Sequence, residues 1–267
     1  MVTVRVDQPD GDDGPARSSD VSGAPASRQS PDTGGTSDAV TSDNDGTRDT
    51  TDADAARQVR IAQVTEHRAT VDATFRAYAI DQAYEKVRDI ERRTVTPVMK
   101  RIEAEDPDRH LAGLEFRLKG RDRLAEKADS HLKSNPELSP GQAVSKVKDA
   151  IRYTFVYSDD HYTEGVQADT RRLADGFELI DLRNLWPAAE YKGINTRWRA
   201  QESSQVFEVQ FHTHASFEAK QSTHGAYEKI RDPATPRGER DKLQDFQRQV
   251  SADIPAPRDV SDIKDYP

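Results

Sequence analysis

The run Phe207-Glu208-Val209-Gln210-Phe211-His212-Thr213-His214 places polar, reactive side chains among strand-forming residues. On a strand of period two, Glu208, Gln210 and His212 share one face, while Phe207, Val209 and Phe211 share the other and pack. A lone carboxylate is ordinary, so the chemistry depends on what converges on it. Asp149 is one candidate. It precedes the β-rich run Ala150 to Tyr157, where a carboxylate disfavours a helix C-terminus. Together with Glu208 it would form the two-carboxylate site that Mg²⁺ uses when substrate phosphates complete its shell. The plainer alternative pairs Asp149 with Lys148 or Arg152 at the surface.

Arg117, Lys119 and Lys127 form a basic cluster at the junction of a strand and a helix, where phosphate oxygens would find charge-assisted donors. Taken alone, such a cluster is more often a solvated face. Tyr191-Lys192-Gly193-Ile194-Asn195 offers a ring, a cation, a glycine for close approach and an amide, a set able to stack on and hydrogen-bond a purine or simply to pack. His212-x-His214 with His224 also resembles part of a zinc site, but no further ligand has the expected spacing.

The elements that must position these residues follow from periodicity. Apolar residues at three- and four-residue spacing predict helix from about Ala55 to Glu105, interrupted near Thr94-Val95-Thr96-Pro97, where Thr96 can cap and Pro97 suits a first turn. Strands are expected at Gly113–Leu118, Ala150–Tyr157, Phe177–Leu182, Tyr191–Arg199 and Gln205–Phe211. Helices are expected at Arg121–Leu132, from Ser139-Pro140 to about Lys148, at Tyr162–Ala174, from Thr213 to about Arg231, and at Arg237–Ile254. The expectation is an α+β fold, a mixed sheet of about five strands flanked by helices and preceded by a helical segment.

Residues 1 to 56 contain no aromatic residue and carry twelve Asp against four Arg, which supplies −8 of the net charge of −9. That composition predicts a disordered acidic tail. It leaves 57–235 as a near-neutral main domain and 236–267 as a C-terminal helix and tail, so the low overall isoelectric point does not exclude anionic substrates. There is no cysteine, which removes thiolate metal sites and a cysteine nucleophile. No apolar run spans a membrane and no classical signal peptide is present. A soluble protein acting in the cytoplasm is expected, with export, if any, by a signal-independent route.

In order, Arg117-x-Lys119, Lys127, Asp149-Ala150-Ile151-Arg152, Tyr191-Lys192-Gly193-Ile194-Asn195 and Glu208-Val209-Gln210 resemble the synthetase domain of the RelA/SpoT alarmone synthetases. The run from Glu208 to Arg231 is similar to nucleotide 3′-pyrophosphokinases and toxin-type synthetases of actinobacterial character. The resemblance, over roughly residues 80 to 235, implies a nucleotidyltransferase-like fold and transfer of the β,γ-diphosphate of ATP to the 3′-hydroxyl of a purine nucleotide, with Mg²⁺. It implies that Arg117, Lys119, Lys127 and Arg152 bind ATP. It gives Asp149 and Glu208 the metal and the catalytic roles, and Tyr191, Lys192, Asn195, Gln210 and His212 the acceptor.

Three departures from the family pattern stand out. Arg123 replaces a Ser, Val147 occupies the position of the usual metal-binding Asp, and His212 stands where many relatives have Arg. Asp149 lies two residues from the usual Asp position, which would keep it on the same strand face. No alarmone-hydrolysing motif precedes the synthetase region. Unopposed synthesis would drain ATP, as expected of a toxin or exported effector that requires a neutralising partner. The alternative acceptor is the 3′ end of tRNA, and the alternative outside enzymology is a non-catalytic purine-nucleotide sensor.

Overall fold

In the computed structural model, residues 47–266 are described, and the expected disordered tail lies outside them as far as residue 46. The chain divides into two units, Met1–Asp72 and Ala73–Pro267. The described part of the first is the beginning of helix α1 (Thr47–Ile90), whose side chains from 52 to 72 are all exposed. This helix begins earlier than the periodicity suggested, so residues 47–56 are helical rather than part of a disordered tail. Ala53, Ala55 and Ala56 have high helix propensity.

The second unit contains a five-stranded mixed sheet with strand order β1-β2-β5-β4-β3. The strands are β1 (Arg109–Ala112), β2 (Arg152–Tyr157), β3 (Phe177–Asn184), β4 (Ile194–Ala200) and β5 (Val206–Thr213). β2 and β5 pair in parallel, and the other neighbours are antiparallel. The helices are α2 (Thr96–Ala104), α3 (Arg121–Ser134), α4 (Pro140–Ser145), α5 (Tyr162–Ala174), α6 (His214–Arg231) and α7 (Arg237–Ala252). The α+β architecture is the expected one.

Two local expectations fail. The strand expected at Gly113–Leu118 is instead a 3₁₀ turn at Leu114–Phe116 after a left-handed Gly113 (φ 63°), and the edge strand lies earlier, at Arg109–Ala112. A left-handed glycine ends the extended run. Only Leu118 bridges to Ile151 beyond the turn. The expected break before Pro97 is a π-helical turn, Glu91–Val95, that runs directly into α2. Thr96 caps nothing there, and its hydroxyl donates to the Glu91 carboxylate. By contrast, Ser139 and Thr213 start α4 and α6 with reciprocal capping boxes.

One face of the sheet is the core. Tyr153, Phe155 and Tyr157 of β2 are fully buried, as are Phe207, Val209 and Phe211 of β5 and Ile194 and Trp198 of β4. The last residues of the chain contribute to the same core. Val260 and Ile263 are buried, and the Asn184 amide donates to both of their carbonyls at 2.8 and 2.9 Å. On the other face, polar residues of neighbouring strands come into register, and a bulge in β3 adds to them. The register shifts between Leu179 and Asp181, so Glu178 meets Arg199 and Asp181 meets Arg197 on that face.

Helix α5 approaches the core so closely that a side chain at Gly165 has no room. A Cβ there would stand 2.7 Å from Cε1 of Tyr157. The ring cannot retreat, because it is buried and its hydroxyl donates to the buried Asp169 at 2.7 Å. Gly165→Ala would favour an exposed helix by about 1 kcal/mol. Here it is expected to destabilise the fold by about 1–3 kcal/mol through overpacking, read as a lower denaturation midpoint.

Candidate active site

The parallel pairing of β2 and β5 sets Arg152 directly beside Glu208, both on the polar face. Arg152 Nε donates to Glu208 Oε2 at 2.6 Å, and its Nη2 donates to Asp149 Oδ2 at 3.0 Å. One guanidinium thus joins the two carboxylates that the sequence singled out. Asp149 sits in the turn between α4 and β2, where Ala150 N donates to the Val147 carbonyl, and Val147 itself is buried in the core. Asp149 is therefore not a strand residue, yet the turn aims it at the same face as Glu208.

Two lysines complete this side of the site. Lys127 of α3 donates to both Asp149 oxygens at 2.9 and 3.1 Å, and Lys119 reaches Oδ2 at 3.0 Å. Lys119 is held in place by its backbone, whose N donates to the Ala150 carbonyl at 2.9 Å beside the start of β2. Burial would raise the Asp149 carboxyl, but the charges of Lys119, Lys127 and Arg152 outweigh it and hold the group down at about 2. Burial also lowers the Lys119 ammonium, against the pull of Asp149.

Arg117 does not join this group. Its Nε donates to Glu91 at 2.8 Å, and Glu91 also accepts from the Tyr153 hydroxyl at 2.6 Å. Tyr153 points to the opposite sheet face from Arg152, so Arg117 and Lys119 do not form the shared strand face expected from the sequence. The cause is the 3₁₀ turn, whose C-cap Arg117 keeps a helical backbone (φ −64°, ψ −24°), so the alternation of a strand does not begin until after it. Burial raises the Glu91 carboxyl, whereas bonds from Thr96, Tyr153 and Arg117 lower it, and the lowering prevails. Glu91 was not singled out in the sequence; its signal is a carboxylate on the inward stripe of a helix, at four-residue spacing from Ala83 and Val87.

On the other side, β4, β5 and α6 assemble a neutral relay. The Tyr191 hydroxyl donates to Asn195 Oδ1 at 2.9 Å and lies 2.9 Å from His212 Nε2, while His212 Nδ1 lies 2.9 Å from the Ser216 hydroxyl. Burial and the nearby Lys220 charge push His212 well below its ordinary value, so it is uncharged. Both ring nitrogens are thereby occupied, and His214 is exposed at the start of α6. Among the described residues, no three His, Cys, Asp or Glu side chains are grouped to hold a metal ion, so the zinc alternative has no ligand set.

Gly193 makes this relay possible, because a Cβ there would stand 2.8 Å from His212 Cε1 and 3.0 Å from the Phe211 carbonyl. Lys192 is placed differently from the expectation. Its ammonium donates to the Trp186 and Ala188 carbonyls at 3.0 and 2.7 Å, which anchors the loop.

A lysine not anticipated from the motifs stands near Glu208 instead. Lys220 of α6 donates to the Gln210 amide oxygen, and the Gln210 amide donates to Glu208 Oε1 at 3.0 Å. Its detectable signal is spacing, since half-buried Lys220 falls between the buried Ser216 and Thr223 on one stripe of α6. Arg197, paired in register with Glu208 and ion-paired with Asp181, is a second charged neighbour missed for lack of register information.

No family model and no curated protein matches the chain. Among solved structures, it is similar to the type VI effector Tas1 in complex with its immunity protein, at 16% identity and TM-score 0.45 over 66% of this chain and 95% of that one. It is similar to small alarmone synthetase 1 from Bacillus subtilis bound to its product pppGpp, at 18% identity and TM-score 0.42 over 64% of this chain and 88% of that one. A GTP pyrophosphokinase family protein from Streptococcus pneumoniae is similar at 12% identity and TM-score 0.43 over 65% of this chain and 85% of that one. What this site can do follows from its own residues.

Proposed function

We propose that the chain transfers the β,γ-diphosphate of ATP to the 3′-hydroxyl of a purine nucleotide, acting as an alarmone-type pyrophosphokinase. The observation that carries this reading is the pair Asp149 and Glu208, bridged by Arg152 and flanked by Lys119 and Lys127 on one polar sheet face. Two carboxylates among cations suit a metal–polyphosphate substrate.

In this reaction the acceptor 3′-oxygen bonds to the β-phosphorus, the bond from that phosphorus to the α,β-bridging oxygen breaks, and AMP leaves. Glu208 takes the proton of the 3′-hydroxyl. Lys119, Lys127 and Arg152, now partnered by carboxylates, exchange those partners for phosphate oxygens. Arg117, held by Glu91 and the Leu114 carbonyl, stands apart from this group and takes no part in these ATP contacts. Tyr191 and Asn195 mark the acceptor side.

The residues fit Mg²⁺ in the mode where one or two carboxylates suffice and substrate phosphates complete the shell; bound there, it would neutralise charge developing on the phosphates. Consumption of ATP by such a reaction would suit a toxin or exported effector held in check by a neutralising partner. No helix among the described residues is long and apolar enough to cross a membrane.

Mass spectrometry of products from ATP with each purine nucleotide is expected to show a 3′-diphosphorylated acceptor and AMP. Label transferred to tRNA alone would assign the alternative acceptor, and nucleotide binding without any product would indicate a sensor. Glu208→Gln is expected to slow turnover about 10²–10⁴-fold, as for loss of a general base; wild-type turnover in that variant would exclude the role. Asp149→Asn is expected to raise the Mg²⁺ concentration for half-maximal rate by about tenfold or more, measured by Mg²⁺ titration at saturating ATP.

A further inference from the structure

Each cation on the ATP side is already matched to a carboxylate: Lys119 and Lys127 to Asp149, and Arg152 to both Asp149 and Glu208. Lys220 is different. Its hydrogen-bond partner is the neutral amide oxygen of Gln210, and no ion pair joins it to a carboxylate among the described residues. Its ammonium also lies 5.5 Å from the centre of the Phe217 ring, a contact that holds the chain over the site without neutralising it.

Placement tells which substrate this charge would meet. Lys220 comes from α6 and reaches Gln210 on β5, whose register partner is Asn195 of the relay, and it is not among the cations bonded to Asp149. The residue expected from the sequence to supply charge there, Lys192, is tied to two backbone carbonyls, and His212 is uncharged. Neither of these two residues offers a free cation to an anionic nucleotide.

We infer that Lys220 is a further substrate-binding residue of the proposed reaction, holding the 5′-phosphates of the acceptor nucleotide and thereby selecting acceptors by their phosphate charge. The inference rests on the pyrophosphokinase reading. The groups facing Lys220 are Glu208 and Gln210 of β5, Arg152 of β2 and Phe217 on its own helix, with His212 neutral. Burial, reinforced by Arg152 and opposed by Glu208, lowers its ammonium to about 8. It is charged below that pH and loses its charge as pH rises through it. An acceptor's phosphates are fully ionised by then, their second ionisation lying near 6, so weakening of acceptor binding above pH about 8 would report the lysine.

Steady-state kinetics of the full chain at saturating ATP test this, with guanosine, adenosine and their 5′-mono-, di- and triphosphates as acceptors. Lys220→Ala is expected to raise the acceptor KM about 10- to 100-fold for phosphorylated acceptors relative to the bare nucleosides, with the KM for ATP unchanged. Lys220→Arg should restore binding and abolish the rise in acceptor KM that the wild type shows above pH about 8, because a guanidinium stays charged. An acceptor KM unaltered in Lys220→Ala, or raised equally for nucleosides and their phosphates, overturns the inference and leaves the pyrophosphokinase reading standing. Absence of product from the wild type with every acceptor overturns that reading and the inference with it.

Discussion

The site depends on one guanidinium. Arg152 holds Glu208 and Asp149 together at 2.6 and 3.0 Å, and its own position is fixed by the parallel register of β2 against β5. A carboxylate pair on a sheet face repels itself, and a cation between its members makes the arrangement stable before any ligand arrives. The site is thus electrostatically closed on itself, each carboxylate matched by at least one cation.

The two faces of the sheet manage polarity in opposite ways. On the core face, the polar atoms of Tyr153, Tyr157 and Tyr162 are buried, and each finds a partner in Glu91, Asp169 or the Phe211 carbonyl. Such pairing avoids the cost of buried unsatisfied groups. On the polar face the charges are only half-buried, and Lys220 faces a neutral amide. The π-helical turn at Glu91 belongs to the core face, where its carboxylate accepts from Thr96, Tyr153 and Arg117 and so draws Arg117 away from the polar face.

Local sequence carried much of this. Alternation of Glu208, Gln210 and His212 with Phe207, Val209 and Phe211 fixed which side chains share a face, because a strand's period is two and the apolar set must be buried. The capping signal at Ser139 marked a helix start, because the cap satisfies donors within its own turn. Signals of this range also failed in a consistent way. Around Gly113 a left-handed residue broke a run that reads as strand, and before Pro97 a π-turn replaced a break whose residues match a cap.

By itself the sequence determined which residues are chemically fit for the site: two carboxylates, a basic cluster, an aromatic–glycine loop and a polar strand face. Tertiary structure decided who their partners are. Register placed Arg152 against Glu208, a turn aimed Asp149, backbone carbonyls took Lys192, Glu91 took Arg117, and α6 delivered Lys220. The physical reason is range. Periodicity and capping act within a few residues and leave their mark on neighbouring positions, whereas an ion pair between residues 56 positions apart exists only after sheet pairing has brought them within 3 Å.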